Sequence, residues 1–474
     1  MQYQQTPTCG GFGATASMMA WTAGSDPINV CSIPLAERLS PGGARILIAG
    51  PQYTPGFDGL SQGGNNIDVY NFDYWQYVDV VVAQGSMYAI PPVGWMNTAH
   101  RNGVLILGSI MTYWEPVFDD FNTNVLASSA TATSAAKQLA AIAAYYGFDG
   151  YFLDVEAFYG GGNVNPQTLQ TFLQTLRAAM QGVTPYAMVC CYDSVSNTGI
   201  VDNYENELDS VNQMYFQDGN TVVSDAFMPN GEWEAPQLKT SFETATNLGR
   251  SPLEVYMECF AGPDGLQTFQ QVQQCTAAGL SAAIWSPSWT FGNRSDEVSA
   301  EELGEQFWGY GKDPSTGIAS AIAPRTVPVA LPFCTTFNTG IGRSFTWPVH
   351  ATLAYGSNDW NNLSLQDVVT TYRNSVWDSS EAFTLNSSMD AAFDGGASLL
   401  LAAGSNAAAG SWSAFDLYSV AWPLTNGMQV SYTFMPAQGG SADVALALLL
   451  SDGQTVVLLV AVNSSTFANV TLES

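Results

Sequence analysis

Charge is scarce in this chain. Of 474 residues only 11% are charged, and 12 Lys+Arg stand against 41 Asp+Glu, a formal net charge of −29. A surface so poor in cations repels a phosphate backbone, which argues against nucleic acid as a partner and against anionic membranes. Histidine is rarer still, with His100 and His350 alone. The seven cysteines (Cys9, Cys31, Cys190, Cys191, Cys259, Cys275 and Cys334) include no CxxC pair. No zinc site, no other metal and no cofactor is therefore expected, and the thiols read as mostly free and buried. His100, in the helical stretch NTAHRNG, reads as structural.

Long uninterrupted apolar runs are also missing. The most apolar stretch, VALALLLSDGQTVVLLVAV at 444–462, is broken by Ser-Asp-Gly-Gln and reads as a β-hairpin, not a membrane span. Residues 1–30 show no basic segment followed by an apolar core, so no signal peptide is visible and a cytoplasmic location is the expectation. Five glycosylation sequons, at Asn293, Asn362, Asn386, Asn463 and Asn469, leave secretion open.

What the chain has is apolar residues, 46% of the total, of which the aromatics make up 12% of the chain. Eight short apolar runs alternate with helical patterns between about 44 and 290: 44–50, 77–83, 103–110, 150–156, 186–192, 221–227, 254–260 and 280–286. Amphipathic stretches at 134–147, 169–182 and 265–279 fill three of the gaps, with Gly147 and Gly182 as helix stops. Eight βα units in about 250 residues predict a (β/α)8 TIM barrel. A doubly wound sheet is the alternative, but AGPQYTPGFDG after the first run is not a phosphate-binding GxGxxG turn. Beyond about 315 the helical periods vanish and short β-like runs follow. The expected division is a catalytic barrel over 1–315 and a β-sandwich accessory domain over 316–474, joined through the Pro- and Ala-rich segment 311–330.

The chemistry concentrates at the end of the fourth run, GYFLDVE. Alternate strand residues share a face, so Phe152, Asp154 and Glu156 point one way and Tyr151, Leu153 and Val155 the other. In a barrel the first set looks inward, at the end that opens into the active-site mouth. Two acids there form the minimal set for cleaving an acetal, the more buried one keeping its proton for the leaving oxygen. The plainer alternative is a pair of solvated acids at a strand end. The spacing lets the two side chains diverge, so Asp154 is expected ionised. Tryptophans fall at or after strand ends, and Trp95, Trp114, Trp233, Trp285 and Trp289, with Phe152, are the candidate sugar-binding surfaces.

Several ordered motifs resemble one family. WQYVDVVVAQGSMYAIPPVGWMNTAHRNGVLILGSIMTYWEP (75–116), FDGYFLDVE (148–156), YDSVSNTGIVDNYENEL (192–208), VYMECFAG (255–262) and LSAAIWSPSW (280–289) are similar to the endo-β-N-acetylglucosaminidases of glycoside hydrolase family 85. The likeness continues through LPFCTTFNTGIG, WNNLSLQDVVTTYR and AFDGGASLLL, covering roughly 20 to 405. It implies cleavage of the GlcNAc-β1,4-GlcNAc bond in the core of N-glycans, with N-glycans on glycoproteins or glycopeptides as partners. The implied mechanism is retaining and substrate-assisted: the 2-acetamido oxygen attacks its own anomeric carbon and forms an oxazoline, from which transglycosylation can follow. Glu156 would be the acid and then the base, Asp154 would orient the acetamide, and Tyr192 would help hold it. The family usually has Asn where this chain has Asp154, and the loop after the first strand departs from the family's His-Asp-Met and Gly-Gly-Tyr stretch. Asp-x-Glu is the chitinase arrangement, so a chitinase-like hydrolase of β1,4-GlcNAc oligomers is the alternative. A glycan-binding protein with impaired catalysis is another.

Overall fold

The computed structural model describes residues 10–24, 29–50, 63–113, 115–157, 161–295, 298–309, 315–346, 358–372, 382–408, 410–423, 429–435, 443–461 and 468–473. Each of the eight apolar runs overlaps a barrel strand: β1 (Ile46–Ala49), β2 (Val80–Val82), β3 (Leu105–Met111), β4 (Gly150–Asp154), β5 (Met188–Tyr192), β6 (Ala226–Met228), β7 (Tyr256–Phe260) and β8 (Ser281–Trp285); the sixth run, 221–227, meets its strand only at its last two residues. Parallel pairing runs in the order β6-β5-β4-β3-β2-β1-β8-β7. A parallel bridge between Phe227 and Val255 closes β6 onto β7. This is the expected (β/α)8 barrel.

Helices α1 (Val93–Arg101), α2 (Ser129–Tyr146), α3 (Pro166–Gln181), α4 (Ala235–Asn247), α5 (Thr268–Ala277) and α6 (Ala300–Trp308) surround it. The β5–β6 connection carries a 3-10 turn, Gln213–Tyr215, and a short antiparallel pair, Gln217–Asp218 with Thr221–Val222. Gly147 stops α2 in the left-handed region at φ 84°, where a side chain would be strained. Gly182 follows α3 in the right-handed region, so that helix ends without a left-handed cap.

Side-chain alternation sorts the core into two layers. Leu47, Val80, Val82, Leu107, Phe152, Met188, Cys190, Tyr192 and Met228 fill the barrel interior. Ile46, Val81, Ile106, Tyr151, Leu153, Val155, Val189 and Phe227 pack outward against the helices. Phe152 thus faces in while Tyr151, Leu153 and Val155 face out, as the strand period requires. Gly150 opens β4 because β5 passes so close that a Cβ would lie 1.8 Å from the Met188 carbonyl oxygen.

One device recurs at the strands' amino ends. An aspartate just before β2, β4 and β6 accepts the backbone N–H that opens, or lies one residue inside, the preceding strand: Asp79 from Ile46 at 2.9 Å, Asp149 from Ile106 at 2.9 Å and Asp225 from Val189 at 2.9 Å. Each carboxylate is paired with a scarce cationic side chain: Asp79 with Arg38 and Arg325, Asp149 with His100, and Asp225 with Arg177. His100 is therefore structural, as expected. It bridges Asp149 at 3.0 Å and the Ile33 carbonyl at 2.8 Å, and its contacts raise its pKa to about 10 against the opposing effect of burial.

The segment 311–330 is not a free tether where it is described. Arg325 is 2% exposed and reaches the Ala44 carbonyl at 2.7 Å, because the base of the barrel needs a cation opposite Asp79. The C-terminal part is β in character, as expected. Among the described residues its strands pair two by two and antiparallel: Ile341–Gly342 with Trp360–Asn361, Phe383–Ser388 with Ser398–Ala403, Gln429–Phe434 with Ala468–Glu473, and Asp443–Leu449 with Thr455–Ala461. The last pair is the hairpin read from the sequence. A turn at Leu363–Leu365 docks this part on the barrel: Asn97 of α1 donates to the Ser364 hydroxyl at 3.2 Å, and Gln366, just after the turn, accepts from the Trp75 indole at 2.6 Å and donates to the Phe72 carbonyl at 3.1 Å. The six described cysteines are all free, and four of them are buried.

Candidate active site

The carboxyl end of β4 is fixed from both sides. Thr112, just past β3, donates its backbone N–H to the Asp154 carbonyl at 3.1 Å, and its hydroxyl bridges the backbone N–H and C=O of Glu156 at 3.0 Å each. Asp202 accepts the Ala157 N–H at 3.0 Å. Asp202 belongs to the loop after β5, which Asp193 organises. The fully buried Asp193 carboxylate accepts from the backbone of Glu205 and Asn206 and from the Asn212 amide. Asp202 and Asn206 stand at φ 58° and 59°, a conformation these residue types tolerate. The loop thereby delivers Tyr204, whose hydroxyl donates to Glu156 Oε1.

Asp154 is 2% exposed and its Oδ1 has no hydrogen-bond partner, whereas Glu156 is half-buried. Burial pushes the pKa of both upward. In Asp154 the negative charges of Glu156, Glu258 and Asp202 push the same way, while the Tyr204 hydroxyl pulls Glu156 partly back. The contact between the two carboxyls favours the protonated form of Asp154 and the ionised form of Glu156. The rise is the greater at Asp154, which runs against the expectation of an ionised Asp154 and makes the deeper acid the stronger holder of a proton. The cause is desolvation, which disfavours charge most at the more enclosed position.

Two further groups complete the mouth. Tyr192, at the end of β5, donates to Glu258 Oε2 at 3.1 Å and accepts from the Asn230 amide at 2.7 Å. Glu258, on β7, is 1% exposed, and burial pushes its pKa up to about 8. Glu258, Tyr204 and Asn230 escaped the sequence reading. The one available signal was parity: in EVYMECF, Glu258 shares a face with Tyr256, an interior residue.

The aromatic candidates separate by position. Trp285 ends β8 and packs on the interior residues, next to the mouth. Phe152 is fully buried beneath Tyr192, ring centroids 6.0 Å apart, and forms a floor. Trp95 is not at the mouth. It is fully buried on α1 against Tyr70, Phe72 and Trp75, because its helix turns that face to the aromatic cluster. Trp233 is 9% exposed and uses its indole N–H on the Glu258 carbonyl at 2.7 Å, so it braces β7 and offers no open face. Trp289 packs in the outer layer, over Gly265 and beside Phe307. Trp114 and residues 51–59 of the first loop lie outside the described residues. Among the described residues no cluster of His, Cys, Asp and Glu is arranged to hold a metal ion.

In a (β/α)8 barrel the active-site loops open at the carboxyl ends of the strands, and the paired carboxyls that acetal cleavage calls for stand at that end. Residues 54–345 match the model of glycosyl hydrolase family 85, and the chain belongs to that family. It is 31% identical over 371 residues to the cytosolic endo-beta-N-acetylglucosaminidase of Gallus gallus, covering 75% of this chain and 47% of that protein. It is 27% identical over 455 residues to the protein of the same name in Danio rerio, covering 92% and 60%. The chain thus spans about half to three-fifths of the length of these relatives. The glycoside hydrolase domain of Endo-D from Streptococcus pneumoniae has the same fold, with a TM-score of 0.83 at 21% identity, covering 99% of this chain and 78% of that one. Among the described residues no helix is long and apolar enough to cross a membrane.

Proposed function

We propose that the chain is an endo-β-N-acetylglucosaminidase that cleaves the GlcNAc-β1,4-GlcNAc bond of the N-glycan core with retention, using the substrate's own acetamide as nucleophile. The observation that carries this reading is the buried, unpartnered Oδ1 of Asp154 beside Glu156. A buried acceptor without a donor costs about 1–3 kcal/mol, and an acetamide N–H is a donor of the right kind. Accepting that N–H stabilises the Asp154 carboxylate and passes the shared proton to Glu156. Glu156 then protonates the leaving oxygen. The acetamide oxygen closes on the anomeric carbon, and the ionised Asp154 stabilises the oxazolinium charge. Tyr192 holds the acyl end of the group. Water enters against Glu156 acting as base, or a second sugar hydroxyl does so in transglycosylation. Holding the nucleophile within the substrate supplies much of the rate, since effective molarities for such geometries reach about 10⁵–10⁸ M.

Trp285 is the proposed stacking surface, with Phe152 as floor beneath Tyr192. The catalytic unit is proposed as 1–315 and the β accessory unit as 316–474. The relatives' names support a cytosolic setting.

The test is release of glycan from a denatured high-mannose glycoprotein, run beside chitin oligomers. Glycan release by the wild type, lost in Glu156→Gln by about 10²–10⁴-fold, supports the reading. Wild-type-like turnover in that variant removes Glu156 from the mechanism, and cleavage of chitin oligomers alone replaces the substrate.

A further inference from the structure

Glu258 is a third carboxyl of the barrel interior, and it takes no part in the proposed proton transfers. Its Oε2 meets the Tyr192 hydroxyl at 3.1 Å and the Gly231 N–H at 3.0 Å. Tyr192 Oη also accepts from Asn230 Nδ2 at 2.7 Å. That amide has its orientation fixed, because Asn230 Oδ1 accepts the Glu232 N–H at 3.1 Å.

A phenol has one proton to give and two lone pairs to offer. With Glu258 ionised, the Tyr192 proton is spent on Glu258. With Glu258 protonated, the carboxyl donates to Tyr192 instead. Asn230 and Glu258 then occupy both lone pairs, and the phenol proton must turn elsewhere. Phe152 and Tyr204 flank the Tyr192 ring at centroid distances of 6.0 and 6.1 Å, and Asp154 and Glu156 are close enough for their charges to act on the phenol. The free direction is the space where the substrate acetamide is proposed to sit.

We propose that Glu258 is a positioning residue whose proton decides whether the Tyr192 hydroxyl can donate to the acyl oxygen of the substrate acetamide. This rests on the reading of Tyr192 as the group that holds the acetamide. The groups facing Glu258 act in both directions, and burial outweighs those that favour its charge. From β4 come Asp154 and Glu156, from β5 Tyr192 and Asp193, from the β6 loop Asn230 and Gly231, and β8 brings no ionisable side chain. Burial raises the pKa of Glu258 to about 8, the contacts from Tyr192 and Gly231 oppose the rise, and Glu156 and Asp193 add to it. Burial also holds the Tyr192 phenol well above its ordinary pKa, so its proton is present throughout the range that matters. The donor is therefore available below about pH 8 and withdrawn above it.

The experiment is calorimetric binding of di-N-acetylchitobiose from pH 5 to 9.5 to Glu156→Gln, which no longer titrates at 156, and to the double variant Glu156→Gln/Glu258→Gln. A glutamine at 258 does not titrate, and because its carbonyl oxygen must take the place that accepts the Gly231 N–H, it holds the Tyr192 proton at every pH, at the affinity the single variant reaches only at high pH. The single variant is expected to lose affinity above about pH 8, approaching tenfold per pH unit as one proton is lost. The double variant is expected to stay flat. Asp154 cannot mimic this result, because its ionisation strengthens the contact with the acetamide N–H as pH rises. Adding Tyr192→Phe to Glu156→Gln is expected to weaken binding and remove the pH dependence. The same pH dependence in the single and double variants, or no binding by the single variant below pH 8, overturns the proposal. In turnover, Glu258→Gln is expected to reduce the alkaline fall of kcat/KM from two protons to one. A residue with only a structural role would lower the whole profile without changing its slope. Failure of the underlying reading shows separately, as turnover retained in Glu156→Gln.

Discussion

Replacing Asp154 by Asn tests the shared proton directly. The charge of Glu156 acts directly on Asp154, which is only 2% exposed. At a charge separation of ~4 Å and an effective dielectric constant of ~20, two unit charges interact by about 4 kcal/mol. A single proton held by the pair removes most of that repulsion, and the Tyr204 hydroxyl already favours the ionised form of Glu156. A residual effect of about 1.4–3 kcal/mol is therefore expected, which corresponds to about one to two pH units. In the Asn variant Glu156 must bind its own proton, with no ionisable neighbour at 154 to raise its affinity. The form competent to protonate the leaving group then disappears at lower pH. The alkaline limb of kcat/KM is expected to move down by at least about one unit while substantial hydrolysis survives, because an amide can still polarise the acetamide. Asp154→Ala, which removes the group altogether, is expected to lower kcat by about 10²–10³, the scale of other preorganised electrostatic contacts. The assay is kcat/KM against pH with a homogeneous glycopeptide for all three enzymes. An alkaline limb that stays in place while only the acid limb changes would refute the shared proton and restore two independent carboxyls. Identical profiles for all three would remove Asp154 from catalysis.

Three other outcomes follow from the same geometry. Tyr204→Phe removes the hydroxyl that lowers the Glu156 pKa, so its alkaline limb is expected to move to higher pH and kcat to fall, with melting unchanged. Glu258 has a folded pKa raised to about 8 against an unfolded value near 4.3, so its contribution is fully present below about pH 4 and is lost as pH rises to about 8. Wild-type melting temperature is therefore expected to drop between pH 5 and 8.5 by more than that of Glu258→Gln, and parallel curves from scanning calorimetry would contradict this. Trp95→Ala is expected to cost about 3–5 kcal/mol of stability in chemical denaturation, whereas Trp285→Ala raises KM with little change in melting. The reverse pattern would move the sugar-stacking surface to Trp95.

The amino-acid order by itself set the barrel and the place of its chemistry. Eight apolar runs at regular spacing, and the two-residue period that turns Phe152 inward and Tyr151 outward, are local properties that need no knowledge of distant neighbours. So is the step from Asp154 to Glu156, which any strand places on one face. What the tertiary structure decided is which residues meet there. Trp95 and Trp285 look alike in the sequence. One is sealed among Tyr70, Phe72 and Trp75 because its helix turns that face to the aromatic cluster, and the other stays at the mouth because β8 ends inward. Glu258 lies 102 residues beyond Glu156, and Tyr204 sits on an irregular loop that Asp193 holds from underneath. Neither leaves a periodic trace. The proton balance between Asp154 and Glu156 is less local still. It depends on how deeply each carboxyl is withdrawn from water and on which charges gather round it, and only the closed barrel fixes both.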